Sequence, residues 1–175
     1  PYEYRYKYPK AGEDNSLVNV LVYNVKNNRL QTLDLGDNSN CYFPRIYWLP
    51  NATDLIVVKM NRHQNKLEFF RYNTLSQVKD LVYTDENERW LDVTHDYYFL
   101  NDNKHMIVTS ERDGFNHIYY VTLGGIITQL TKGDWEVANI CAVDQTNKRI
   151  YYLSNESGTL NRDLYAIDFS GKKKK

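Results

Sequence analysis

The sequence has almost no cysteine: two in 175 residues, Cys41 and Cys141. Two thiols cannot build the disulfide framework that staples small secreted domains. It has no excess of either charge, with 22 basic and 22 acidic residues. A nucleic-acid or membrane-surface protein needs a positive field, so a net charge of zero argues against both roles. No run approaches the roughly 20 apolar residues that span a bilayer. No signal peptide is visible, and the first residue is Pro1 rather than Met. Sustained helical periodicity is missing too. So are G-x-S-x-G, H-E-x-x-H and C-x-x-C, which removes the sequence signatures of a hydrolase elbow or a zinc site.

What is abundant is tyrosine, at 16 residues. Tyr favours a pleated, half-buried surface, so the bias points to strands. The strands repeat. Apolar runs starting at Val20, Phe69, Ile118 and Leu164 lie 49, 49 and 46 residues apart. A second set, centred on Ile56, Met106 and Ile150, keeps nearly the same spacing. Each unit reads as four short strands joined by polar turns. In the clearest unit the strands fall at 90–100, 105–110, 117–122 and 126–130. Asp113-Gly114 and Gly124-Gly125 supply the turn chemistry of tight hairpins.

Four-stranded units of about 40–50 residues are the signature of propeller blades. The expected fold is therefore all-β: a partial β-propeller of four-stranded antiparallel blades, about three blades of a larger ring. The units predict two strands of one blade at 18–35 and whole blades at 41–85 and 90–130. Three strands of another blade follow at 137–169. The chain then begins and ends inside blades, and its open edges predict self-association or a displaced terminal strand. Cys41 and Cys141 fall in first strands two blades apart, too far to bond, and are expected as free core thiols. The four lysines at 172–175 read as a solvated strand start or tail, with a binding patch as the lesser reading.

Four ordered motifs carry a resemblance. They are Tyr8-Pro9-Lys10-Ala11-Gly12-Glu13-Asp14-Asn15, Ser110-Glu111-Arg112-Asp113-Gly114-Phe115-Asn116-His117, Leu130-Thr131-Lys132-Gly133-Asp134-Trp135-Glu136-Val137 and Ile150-Tyr151-Tyr152-Leu153-Ser154-Asn155-Glu156. Arg62-His63-Gln64-Asn65 adds a weaker fifth match. Together they resemble the N-terminal propeller of the dipeptidyl peptidase IV family of serine exopeptidases. The resemblance runs from Tyr8 to about Gly171. It implies an eight-bladed propeller capping an α/β-hydrolase domain that removes dipeptides from peptide N-termini. The implied role of this chain is non-catalytic: gating substrate access and supporting the parent's own hydrolase domain, which is absent here. The implied partners are that domain and peptide substrate, with no cofactor, no metal, no nucleic acid and no membrane segment. The implied location of the parent is secreted, periplasmic or cell-surface.

The family's Glu pair for the substrate ammonium lies upstream of Tyr8-Pro9, so it is not expected in this chain. Asp134-Trp135-Glu136 imitates it but reads as a turn residue followed by blade packing. Some members aim a propeller Arg at the substrate from the strand near Trp90, and Arg89 is the candidate substrate-facing residue. His63, His95, His105 and His117 are dispersed and do not suggest a metal site. A Ser110/His117/Asp113 triad can be drawn, but these residues flank one hairpin with no strained elbow, so no catalytic residue is assigned. Asn51-Ala52-Thr53 and Asn155-Glu156-Ser157 match the glycosylation acceptor pattern. The alternative function is a propeller interaction module with no associated peptidase.

Overall fold

The computed structural model describes residues 2–6, 10 and 12–174, and they form thirteen strands with no helix. The first sheet pairs β1 (Leu21–Asn24) with β2 (Arg29–Thr32). The second is the meander β3 (Cys41–Trp48), β4 (Asp54–Asn61), β5 (Lys66–Asn73) and β6 (Lys79–Glu86). The third runs β7 (Tyr97–Phe99), β8 (His105–Ser110), β9 (His117–Thr122) and β10 (Ile127–Gln129). The fourth holds β11 (Val137–Asp144), β12 (Arg149–Ser154) and β13 (Asp163–Asp168). All pairings are antiparallel between consecutive strands.

The two-residue period of a strand explains how the sheets stack. Successive side chains point to opposite faces, so a central strand can feed two cores. In β4, Leu55 and Val57 join Val20, Leu33 and Leu35 of the first sheet's segment. Ile56, Val58 and Met60 face the other way and meet Met106, Val108, Tyr119 and Val121 of the third sheet. In β8, Ile107 turns its back on that core and packs with Ile140, Ile150, Tyr152 and Ile167 of the fourth. Each fully buried aliphatic or aromatic side chain contributes about 1.5–3 kcal/mol. Three dry interfaces between four successive meanders are the arrangement of a partial propeller.

The turns repeat as faithfully as the cores. The hairpins β3–β4, β7–β8 and β11–β12 each place one residue in the left-handed region: Ala52 at φ 56°, Asn103 at 56° and Lys148 at 52°. Asn tolerates that conformation well and Lys poorly.

Two expectations need correction. The strand expected over 90–100 is confined to Tyr97–Phe99. Ahead of it, Leu91 N–H donates to the Gln64 carbonyl and Asp96 N–H to the Thr94 hydroxyl. These local bonds take the donors a ladder would need, and Trp90 is left half exposed. Cys41 is buried, but Cys141 is exposed rather than core. The β11–β12 register shifts between Ile140 and Ala142, leaving Cys141 as the unpaired residue of a bulge. Part of the opening Tyr8 motif lies outside the described residues.

Candidate functional site

The chain crosses from the outer strand of the second sheet to the first strand of the third through residues 87–96. Beneath this crossover lies a cavity of about 180 Å³, with Asp85, Asp92, Thr94, Tyr97, Ser110 and Asn116 among its lining residues. It is built from three strand ends, those of β6, β7 and β8.

Asp85 sits near the end of β6 and is only 7% exposed. Burying a carboxylate is costly unless it is paired and hydrogen-bonded. Both conditions are met. Its Oδ1 accepts from Ser110 Oγ at 2.8 Å and from Arg112 Nη2 at 3.1 Å. Arg112 also donates from Nε to Ser110 Oγ at 3.1 Å and from Nη2 to the Tyr83 hydroxyl at 2.7 Å. Its guanidinium lies over the rings of Tyr83 and Tyr119, 5.3 and 5.1 Å from their centroids. Burial pushes both phenols far above their ordinary range, and the neighbouring carboxylates Asp85 (for Tyr83) and Asp113 (for Tyr119) push further. The hydroxyls therefore stay neutral and the network carries one compensated charge pair.

This geometry fixes protons rather than moving them. The Ser110 hydroxyl donates a hydrogen bond to Asp85, and no imidazole bonds its oxygen among the described residues. His117, fully buried, meets Thr131 Oγ1 at Nδ1 (3.1 Å) and the Gly133 carbonyl at Nε2 (3.0 Å). The carbonyl can only accept, so Nε2 is assigned the proton. Trp135 stands edge-on to that ring, 4.8 Å away, partly buried against the core between the third and fourth sheets. Asp113 accepts from Gln129. The three members of the drawn triad thus each serve a separate local bond.

Arg89 lies on the crossover itself. Its backbone N–H donates to Asn87 Oδ1 at 2.9 Å. Its exposed guanidinium makes no hydrogen bond or ion pair among the described residues, and it borders an open groove of about 490 Å³ shared with Glu88, Glu111 and Arg112. The histidines are scattered as their sequence positions imply. His95 pairs with Arg45 and His105 with Asp102, while His63 is exposed on the β4–β5 turn. Among the described residues no cluster of three or more metal-ligating side chains occurs.

The Asp85–Arg112 pair escaped the sequence reading, where Arg112 passed as a turn residue. A signal existed. Arg62 and Arg112 stand 50 residues apart, at the same place in successive units. Arg62 likewise reaches out of its own sheet, donating to the Glu13 carbonyl at 3.0 Å.

The profile of the dipeptidyl peptidase IV (DPP IV) N-terminal region matches residues 1–175, the whole chain. The chain belongs to this family. It is similar to the crystal structure of Porphyromonas gingivalis dipeptidyl peptidase 4, with a TM-score of 0.89 and 35% identity over 98% of this chain and 24% of that one. A putative dipeptidyl aminopeptidase IV from Bacteroides ovatus gives 0.84 and 26%, covering 97% of this chain and 27% of that one. Among curated relatives, the venom dipeptidyl peptidase 4 of Vespula vulgaris is 30% identical over 99% of this chain and 24% of its own length. The probable dipeptidyl peptidase 4 of Aspergillus flavus is 26% identical over 97% and 24%. The chain therefore spans about a quarter of the length of these dipeptidyl peptidase IV relatives. In this chain, Ser110 and Arg112 bond Asp85 across the junction of the second and third sheets.

Proposed function

We propose that this chain is a non-catalytic propeller segment of a dipeptidyl peptidase IV-like serine peptidase, where it gates substrate access and supports the α/β-hydrolase domain of its parent. The observation that carries the reading is the crossover at 87–96. A buried, compensated network anchors the strand ends beneath it, while Arg89 and Trp90 are held outward on its surface. A buried network beneath an exposed cation suits positioning of a peptide rather than bond cleavage. Arg89 is the residue assigned to face substrate.

The test uses the complete gene product. Arg89→Ala is expected to raise KM for Gly-Pro-type substrates with kcat unchanged. The loss in kcat/KM is about three- to tenfold, the size of one exposed charge contact. Unchanged kinetics would remove Arg89 from the substrate path. The 175-residue chain alone should give no turnover, and clear hydrolysis by it would refute the non-catalytic role. The venom relative, by its name, fits a secreted, periplasmic or cell-surface parent. Exposed Leu21, Tyr23 and Leu30 on the first sheet and Leu164 on β13 support self-association of the isolated chain. Sedimentation that shows only monomer would exclude it.

A further inference from the structure

Residues 168–174 lie as a strap across the junction of the third and fourth sheets. Asp168 Oδ1 turns the chain, accepting from Ser170 N–H at 3.1 Å and from Lys172 N–H at 3.0 Å. Phe169 packs on Tyr120 of β9, with ring centroids 5.7 Å apart. Gly171 runs so close to the third sheet that a methyl on it would stand 3.1 Å from the Leu130 carbonyl oxygen. The strap then delivers the Lys174 ammonium to two aromatic rings at once. It lies 4.9 Å from the centroids of Trp135 and Tyr165 and pairs with the carboxylate of Glu156.

Each wall of this cage is positioned by a contact that does not involve Lys174. Trp135 is set against the His117 ring. Tyr165 stands opposite Tyr152 in the β12–β13 ladder and stacks on that fully buried ring at 5.7 Å. Glu156 is carried by a loop clasped to the segment ahead of β11. Glu136 N–H donates to Asn155 Oδ1 at 2.8 Å, and Asn155 N–H to the Glu136 carbonyl at 3.3 Å. A cation within about 6 Å of a ring centroid is attracted by the ring quadrupole, and a carboxylate beside it accepts its N–H donors. The Lys174 side chain is 34% exposed, and burial holds its pKa below the ordinary lysine value. The preceding crossover does not repeat the arrangement. Trp90 spends its indole N–H on Asp92, and no cation lies over its ring among the described residues.

We propose that Trp135, Tyr165 and Glu156 form a binding site for a primary alkylammonium, the side chain of a lysine, and that Lys174 occupies it in cis. The rings alone would accept any compact cation. The carboxylate narrows the class, because a primary ammonium gives it an N–H donor that a quaternary ammonium lacks. An external lysine must compete with a tethered one, whose effective concentration is high because Phe169 and Gly171 already hold the strap down. The site is therefore closed to other lysines while the strap is seated. The inference does not rest on the peptidase reading.

The test titrates n-butylammonium, tetramethylammonium and 1-butanol into the complete gene product and its Lys174→Ala variant, followed by saturation-transfer NMR on the ligands. The signal that the variant gains over the parent is the readout. Lys174→Ala is expected to bind n-butylammonium with a Kd of about millimolar size, at least roughly tenfold tighter than the parent does at this site. Tetramethylammonium should bind the variant about threefold or more weakly than n-butylammonium, and 1-butanol should show no gain. Glu156→Gln added to Lys174→Ala should weaken n-butylammonium about three- to tenfold. In thermal melts n-butylammonium should raise the Tm of Lys174→Ala and leave that of the parent unchanged, which reads binding without NMR. The proposal is overturned if Lys174→Ala gains no binding over the parent, if 1-butanol or tetramethylammonium binds it as tightly as n-butylammonium, or if Glu156→Gln changes nothing.

Discussion

Removing Arg112 should destabilise this chain far more than removing any other arginine that pairs with a carboxylate. Arg112→Met keeps a side chain of similar length but deletes the guanidinium. Asp85 is then left buried with only Ser110 to compensate it. Stripping one partner from a buried pair costs about 3–5 kcal/mol. The Arg112 side chain is 25% exposed, so solvent screens part of this and the figure falls to about 2–3 kcal/mol. Loss of the two ring contacts adds about 0.5–1 kcal/mol. For a domain of this size the sum lowers Tm by roughly 6–14 °C. Asp85→Asn should cost about 1–2 kcal/mol, and the double variant less than the two together, with a coupling of about 1–2 kcal/mol. The comparison is Arg71→Met, which breaks a half-exposed pair with Asp80 and should cost under about 1 kcal/mol. Urea unfolding followed by Trp fluorescence and far-UV circular dichroism measures all four variants. An Arg112→Met cost no larger than that of Arg71→Met, or a coupling indistinguishable from zero, would refute the argument.

Asp96 gives a pH signature. Burial raises its carboxyl above the ordinary 3.8, so the folded state holds this proton more tightly than the unfolded chain. Parent stability should therefore fall as pH rises from 3.8 through the raised value, then level off. Asp96→Asn can still accept from Ile140 N–H but does not titrate. Its advantage over the parent should be nil below pH 3.8 and grow above it in thermal melts, and an advantage growing towards acid would contradict the assignment. Gly133 sits at φ 145°, and a methyl there would overlap the Trp135 indole. Gly133→Ala should cost about 2–4 kcal/mol and shift Trp emission to the red, reporting a displaced ring. A thiol reagent should label Cys141 in the folded chain within the mixing time of unfolded controls, and Cys41 only after denaturation.

The strands were legible because their chemistry repeats. Val57-Val58 in β4, Ile107-Val108 in β8 and Ile150 with Tyr152 in β12 recur at nearly the same spacing; β4 and β8 divide their side chains between two cores, and β12 turns Ile150 and Tyr152 into one. What stayed hidden depends on contacts between units rather than within them. Trp90 to Asp96 has the aromatic and β-branched composition of a strand, yet its donors go to Gln64 and Thr94, which no local pattern reveals. Cys141 carries the residue type of a core position, and a single bulge turns it outward. Arg112 lies in a turn motif whose Asp-Gly pair already explains the hairpin; its spacing from Arg62 marks the position, but nothing along the chain names Asp85, 27 residues earlier, as its partner.

The same distinction governs charge. Composition reports a sum, and here the sum is zero. A field at a surface depends instead on which charges are spent on local bonds. At the crossover, acid and base are paired inside the fold, and Arg112 is immobilised by Asp85 and two rings. At the β11–β12 corner Asp144 and Asp168 accept from loop N–H groups and stay ionised, so they order the turns while still offsetting part of the charge of Lys148 and Arg149. One arrangement ties two sheets together and the other orders local turns, from the same residue types. Exchanging the partners tests this directly. Asp168→Ser should release the cap, loosen the 168–173 turn and leave the local field more positive. The melting temperature should fall by a few degrees, because the bonds from Ser170 and Lys172 lose their acceptor. An unchanged melting temperature would show that the capped turn adds nothing to the stability of the fourth sheet.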